Sequence, residues 1–164
     1  MPETKSVDWS KQHCGVHCAP IDVVRKLMPD LCEVLDTFPD DARVFTWDVK
    51  VHMLMPRQYP CIPNWHTDNV PRVNGVQRFD MLRPELPMYC WLSGAPLTQF
   101  KHGYLTPLAW HRFTQLDEHR GTAAGEFGWR GFIRATHSDI QAPKVGDYLR
   151  RHCQVYLDAE TYQW

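Results

Sequence analysis

"FTWDVKVHM", residues 45 to 53, alternates without a break. Phe45, Trp47, Val49, Val51 and Met53 fall on one side, and Thr46, Asp48, Lys50 and His52 on the other. Successive side chains of an extended chain point to opposite faces, so a period of two predicts a strand, and the polar set predicts one face turned to water. Downstream, "PMYCWLS" (87 to 93), "LTPLAW" (105 to 110), "FTQLDEH" (113 to 119), "WRGFIRATHS" (129 to 138) and "CQVYLD" (153 to 158) are short, partly aromatic or β-branched, and bounded by Gly, Pro or polar turns. They read as further strands.

Upstream, between residues 20 and 38, Val24, Leu27, Met28, Leu31, Leu35 and Phe38 recur at three and four, the spacing of one helical face. Pro29 interrupts this helix: either the helix kinks there, or two short helices form with Pro29 in the first turn of the second. A helical segment (residues 1 to 40) followed by evenly spaced strands (residues 45 to 158) predicts a mainly β barrel or sandwich with the helix packed on one side. At 164 residues with no linker or composition shift, one domain is expected.

Lys and Arg number 18 against 19 Asp and Glu, so no strong basic surface favours nucleic acid. No apolar stretch is long enough to span a bilayer, and "MPETKSVDWSKQ" lacks the apolar core of a signal peptide; a cytoplasmic location is the expectation. Six scattered cysteines fit reduced thiols better than a disulfide framework.

The chemistry concentrates in "NWHTDNVPR", residues 64 to 72. Its Thr-Asp-Asn run followed by proline suits a surface turn. On an extended chain, however, His66 and Asp68 point the same way, so an imidazole nitrogen and a carboxylate oxygen can meet one ion. A third ligand is expected from far along the chain, and His119 in "LDEHRGTAA" is the candidate. Two histidines and one carboxylate form the facial triad associated with non-haem Fe(II) and oxygen, with manganese the alternative; zinc prefers sulfur or three histidines, and Mg and Ca prefer oxygen. In "WRGFIRATHS", Arg130, Phe132, Arg134 and Thr136 share a face. Two arginines inside an apolar strand are costly without an anion, and a dicarboxylate matches the guanidinium fork.

These motifs resemble the Fe(II)- and 2-oxoglutarate-dependent oxygenases, whose core is a double-stranded β-helix, or jelly roll. The resemblance covers residues 45 to 138 and rests on "WHTDN", "HRGTAA" and the arginine strand "WRGFIRATHS". It implies that His66, Asp68 and His119 hold iron. It also implies that Arg130 or Arg134, with Thr136, binds the 2-oxoglutarate cosubstrate, Arg130 being preferred because it begins the strand. The implied reaction consumes O2, decarboxylates 2-oxoglutarate to succinate and by default hydroxylates a substrate that the sequence does not identify. The chain is short for this family, which predicts an open pocket or one completed in an oligomer or larger assembly. The alternatives are a non-catalytic jelly-roll binding module that retains a metal site, and a metal-dependent cupin of another class.

Tyr59, Asn64, Trp65 and Tyr104 are candidates for the substrate pocket, although packing is the commoner fate of a tryptophan. "HCGVHC" (13 to 18) offers zinc ligands without the partner motif a finger needs, so it reads as an ordinary segment. His111 in "WHRF" rivals His119 but lacks an arginine strand at a suitable distance. His52, His102, His137 and His152 read as surface or hydrogen-bonded residues.

Overall fold

The computed structural model describes residues 6–12 and 15–157. Strand β1 (Gly15–Ala19) leads into helix α1 (Ile21–Leu27), which starts directly after Pro20 and ends before Pro29. Pro29 opens a 3-10 turn (Pro29–Leu31) that continues into α2 (Cys32–Leu35). The apolar stripe is therefore carried by two short helices, because proline's missing N–H is harmless in a first turn and disruptive in an interior. Val24, Met28, Leu31 and Leu35 are all buried.

The remaining elements are β2 (Phe45–Leu54), the small hairpin β3 (Arg72–Val73) and β4 (Val76–Gln77), β5 (Met88–Ser93), β6 (Thr98–Phe100), β7 (Gly103–Tyr104), β8 (His111–Phe113), β9 (His119–Gly121) and β10 (Gly128–His137). A five-stranded sheet has the order β1-β2-β10-β5-β8, and a three-stranded sheet has the order β7-β6-β9. All pairings are antiparallel. His66 extends the smaller sheet, exchanging two backbone hydrogen bonds with His119 at 3.0 and 2.9 Å.

Each sheet face has its own partner. Trp47, Val49, Tyr89, Trp91, Ile133 and Ala135 pack with the helices in the main core. On the opposite face Met88, Cys90 and Leu92 of β5 meet Phe100 of the smaller sheet, with Leu105 and Phe113. The expectation of a wet face on β2 is thus corrected: Thr46, Asp48 and His52 are at most 2% exposed. Alternation marks two faces, but here the second faces the smaller sheet and a polar cavity instead of bulk water.

Three predicted strands also need correction. Residues 105 to 110 form a turn and irregular chain. Within 113 to 119, only Phe113 and His119 belong to strands; Asp117 accepts a hydrogen bond from Thr114 N at 2.7 Å and closes the turn between them. Residues 153 to 157 are irregular apart from Tyr156, which bridges Tyr59, and Asp158 lies outside the described residues. No helix among the described residues is long and apolar enough to cross a membrane, and no disulfide forms among them.

Candidate metal centre

The His66–His119 bridge places two imidazoles side by side, their ring centroids 4.5 Å apart. His66 Nδ1 lies 2.7 Å from the Asn64 carbonyl, and His119 Nδ1 lies 3.2 Å from the Asp117 carbonyl. A carbonyl can only accept, so both rings carry their proton on Nδ1 and turn an Nε2 lone pair inward. Asp68 Oδ1 meets them there, 3.8 Å from His66 Nε2 and 3.3 Å from His119 Nε2. Ligand atoms about 2.1 Å from one ion and at right angles lie about 3 Å apart, and the three atoms here, within 4.8 Å of one another, are close enough that they could hold a shared divalent cation. Phe100 packs on the His119 ring at 4.9 Å and fixes its plane.

Charge is arranged to keep the carboxylate ionised. Burial alone would raise the Asp68 pKa, but His119, Arg134 and His66 outweigh it and hold the carboxyl well below its ordinary range. Burial lowers His119, yet the adjacent Asp68 carboxylate leaves it raised. His66 is lowered, chiefly by burial. A metal cation in this position would take over the proton's part.

Behind the carboxylate stands a relay of ion pairs. Arg134 Nη1 donates to Asp68 Oδ2 at 2.9 Å, and its Nη2 donates to Asp48 Oδ2 at 3.2 Å. Asp48, 1% exposed, also accepts from the Cys18 backbone N–H at 3.2 Å and from Arg150 Nη2 at 3.3 Å. Arg134 thus occupies the outer oxygen of Asp68 and leaves Oδ1 to the histidines. His17, Cys18 and Asp48 also cluster closely enough to hold an ion. Arg134 and Arg150 already neutralise that carboxylate, and Lys144 Nζ lies 2.9 Å from His17 Nε2, so a further cation has no place among them. His13 and Cys14 of the "HCGVHC" stretch lie outside the described residues.

The trio opens on a cavity of about 160 Å³ between the two sheets. Lys50 of β2 and Arg130, Phe132 and Arg134 of β10 form one wall, Thr98 and His119 of the smaller sheet another. Arg130 is 3% exposed and donates to Thr98 Oγ1 at 2.5 Å. Its Nε has no partner, and no carboxylate pairs with it among the described residues. Burial pushes its pKa down, with Cys61 and Cys90 opposing weakly.

The structure therefore brings His66, Asp68, His119, Arg130 and Arg134 together, with the two arginines in different states. Thr136 is fully buried and does not line the cavity. Neither do the four residues read as a substrate pocket. Tyr59 pairs with Tyr156, Asn64 supplies the carbonyl that orients His66, and Tyr104 is 53% exposed. Lys101 and Arg120 flank the Trp65 ring at 3.9 and 4.7 Å. His111 bonds the Thr106 carbonyl at 2.9 Å, away from the trio. Sequence reading missed Lys50, hidden in the supposed wet face, and Arg150, Gln154 and Tyr156, which close the cavity from a C-terminal segment that is largely irregular.

No protein-family model matches the chain, and no curated protein or solved structure does either.

Proposed function

We propose that this chain is an Fe(II)- and 2-oxoglutarate-dependent oxygenase on a jelly-roll core, with hydroxylation as its default reaction. The observation that carries the reading is Arg130: a buried guanidinium, paired with no carboxylate among the described residues, lining the same cavity as three converging atoms that could ligate a metal. Burying an unpaired charge is costly unless an anion completes it. The chain path supports the core assignment: after β2, it passes alternately between the smaller and larger sheets through His66, β5, β6 with β7, β8, β9 and β10, as in a jelly roll.

In this reading His66, Asp68 and His119 would hold the ion, and the cavity beside them would admit its cosubstrate. Iron and 2-oxoglutarate, when bound, supply the oxidising chemistry: substrate C–H, O2 and 2-oxoglutarate give alcohol, succinate and CO2. Arg130 receives the far carboxylate of 2-oxoglutarate, and Thr98, already bonded to Arg130, fixes the direction of its fork. Arg134 keeps Asp68 ionised and singly ligating. Phe132, between the two arginines on the same face, supplies the apolar contact for the cosubstrate's methylenes.

The test is succinate release by purified protein with Fe(II), 2-oxoglutarate and O2. Turnover that requires added Fe(II) and falls to background in Asp68→Ala supports the reading. Iron binding with no 2-oxoglutarate consumption, even uncoupled from a substrate, overturns it in favour of a non-catalytic metal-binding module.

A further inference from the structure

Lys50 is the second cation of the cavity, after Arg130, that no carboxylate among the described residues pairs. It sits at the centre of β2, directly opposite Phe132 of β10, while its neighbours Asp48 and His52 oppose Arg134 and Arg130. Side chains repeat every second residue at about 3.4 Å per residue, so Arg130 and Arg134 stand about 14 Å apart along the strand, with Lys50 midway on the adjacent one. Lys50 is half-buried, lines the cavity, and makes no hydrogen bond or ion pair with any described residue.

Its electrostatic neighbours locate it further. Asp68 acts on the Lys50 charge, and Lys50 in turn acts on His66. Arg134, at the other end of this row, donates to Asp68 at 2.9 Å, so Lys50 stands on the metal side of Arg130. Burial, then Arg134, lowers the pKa of Lys50, a penalty that an incoming anion relieves.

We infer that Lys50 is a cosubstrate-positioning residue that receives the metal-side carboxylate of 2-oxoglutarate, so that the dianion is gripped at both ends, by Lys50 and by Arg130. This rests on the oxygenase reading above. A small ligand pinned at two points is held in one orientation in the cavity, and a charge-assisted hydrogen bond at each end selects a dianion over a monoanion.

The experiment measures binding of 2-oxoglutarate, and of its far-end amide 2-oxoglutaramate, to Mn(II)-loaded protein by calorimetry. Wild type, Lys50→Met, Lys50→Arg and Arg130→Met are compared, with Mn(II) binding as the check that each variant is folded. The inference predicts that Lys50→Met weakens both ligands by about tenfold or more, because both keep the metal-side carboxylate, and that Lys50→Arg recovers most of the loss. Arg130→Met weakens 2-oxoglutarate far more than the amide. Equal affinity of Lys50→Met and wild type for 2-oxoglutarate overturns the inference, as does a Lys50→Met effect that disappears with the amide, which would put Lys50 at the far carboxylate. Failure of wild type to bind 2-oxoglutarate is a separate result and overturns the oxygenase reading itself.

Discussion

At the scale of single residues, Asp48 shows how a buried carboxylate can govern a site it does not enter. It is surrounded by Arg134, Arg150 and the Cys18 N–H, and through Arg134 it reaches the outer oxygen of Asp68. Burial opposes its ionisation, but Arg134 and the other donors prevail and its pKa is lowered. Replacing it by Asn removes the charge that anchors Arg134, so Asp68 loses its fixed orientation. Outer partners of metal ligands contribute about 10- to 100-fold in metal affinity, and Asp48→Asn is expected to weaken Mn(II) binding within that range while Asp48→Glu loses less; calorimetric titration of the metal reads both. His52 sets a second expectation. It is 2% exposed, and burial, followed by the nearby Arg130 and Lys50, lowers its pKa from 6.5 to about 3. The folded state refuses a proton that the unfolded chain accepts below pH 6.5, so stability is present above that value and lost as pH falls towards 3. Between pH 7 and 5 this one group removes about 2 kcal/mol. Urea unfolding at both pH values should show a smaller acid loss in His52→Gln than in wild type.

At the scale of elements, β10 holds the account together, since its two faces serve different purposes. Arg130, Phe132 and Arg134 face the cavity, while Gly131, Ile133 and Ala135 back onto the core. Gly131 is required by contact: a Cβ there would lie 2.3 Å from ring atoms of Trp9, which is 6% exposed and packs near Trp91. Gly131→Ala is expected to cost about 1–3 kcal/mol by overpacking, and thermal or urea unfolding measures it. The alternation of β2 and β10 was readable from sequence because period two survives whatever covers each face. What the polar face of β2 looks at was not readable: water and a polar cavity select the same residue types, so Lys50 and Asp48 passed for surface groups. The stretch from residue 105 to 110 carries leucine, threonine and tryptophan, yet Leu108 takes a positive φ of 64° and its N–H bonds the Leu92 carbonyl at 2.8 Å, so a tertiary contact overrides the strand propensity.

At the scale of the whole molecule, the site is a product of topology. His66 and Asp68, His119, and the two arginines come from three parts of the chain, and only the facing of the two sheets brings them to one cavity. Residue types and their order along the chain made the cluster of His66, Asp68 and His119 legible before any fold was known, because a site that could hold an ion on one face needs such donors whatever carries them. The division of labour between Arg130 and Arg134 was not legible, since Asp48 and Asp68, which claim Arg134, are remote from it in sequence. The C-terminal wall escaped for a different reason: residues 153 to 158 read as one more strand, whereas Arg150, Gln154 and Tyr156 lie in largely irregular chain fixed by contacts such as Arg150 N to Gly15 O at 2.9 Å. The most direct test of the central claim, one ion held by His66, Asp68 and His119 beside a pocket for 2-oxoglutarate, is an anaerobic titration of the protein with Fe(II) and then 2-oxoglutarate. The account predicts one iron per chain and a weak visible charge-transfer band that saturates with 2-oxoglutarate and is lost in His119→Ala. A wild-type protein that binds no iron, or binds it and gives no band at saturating 2-oxoglutarate, would contradict it.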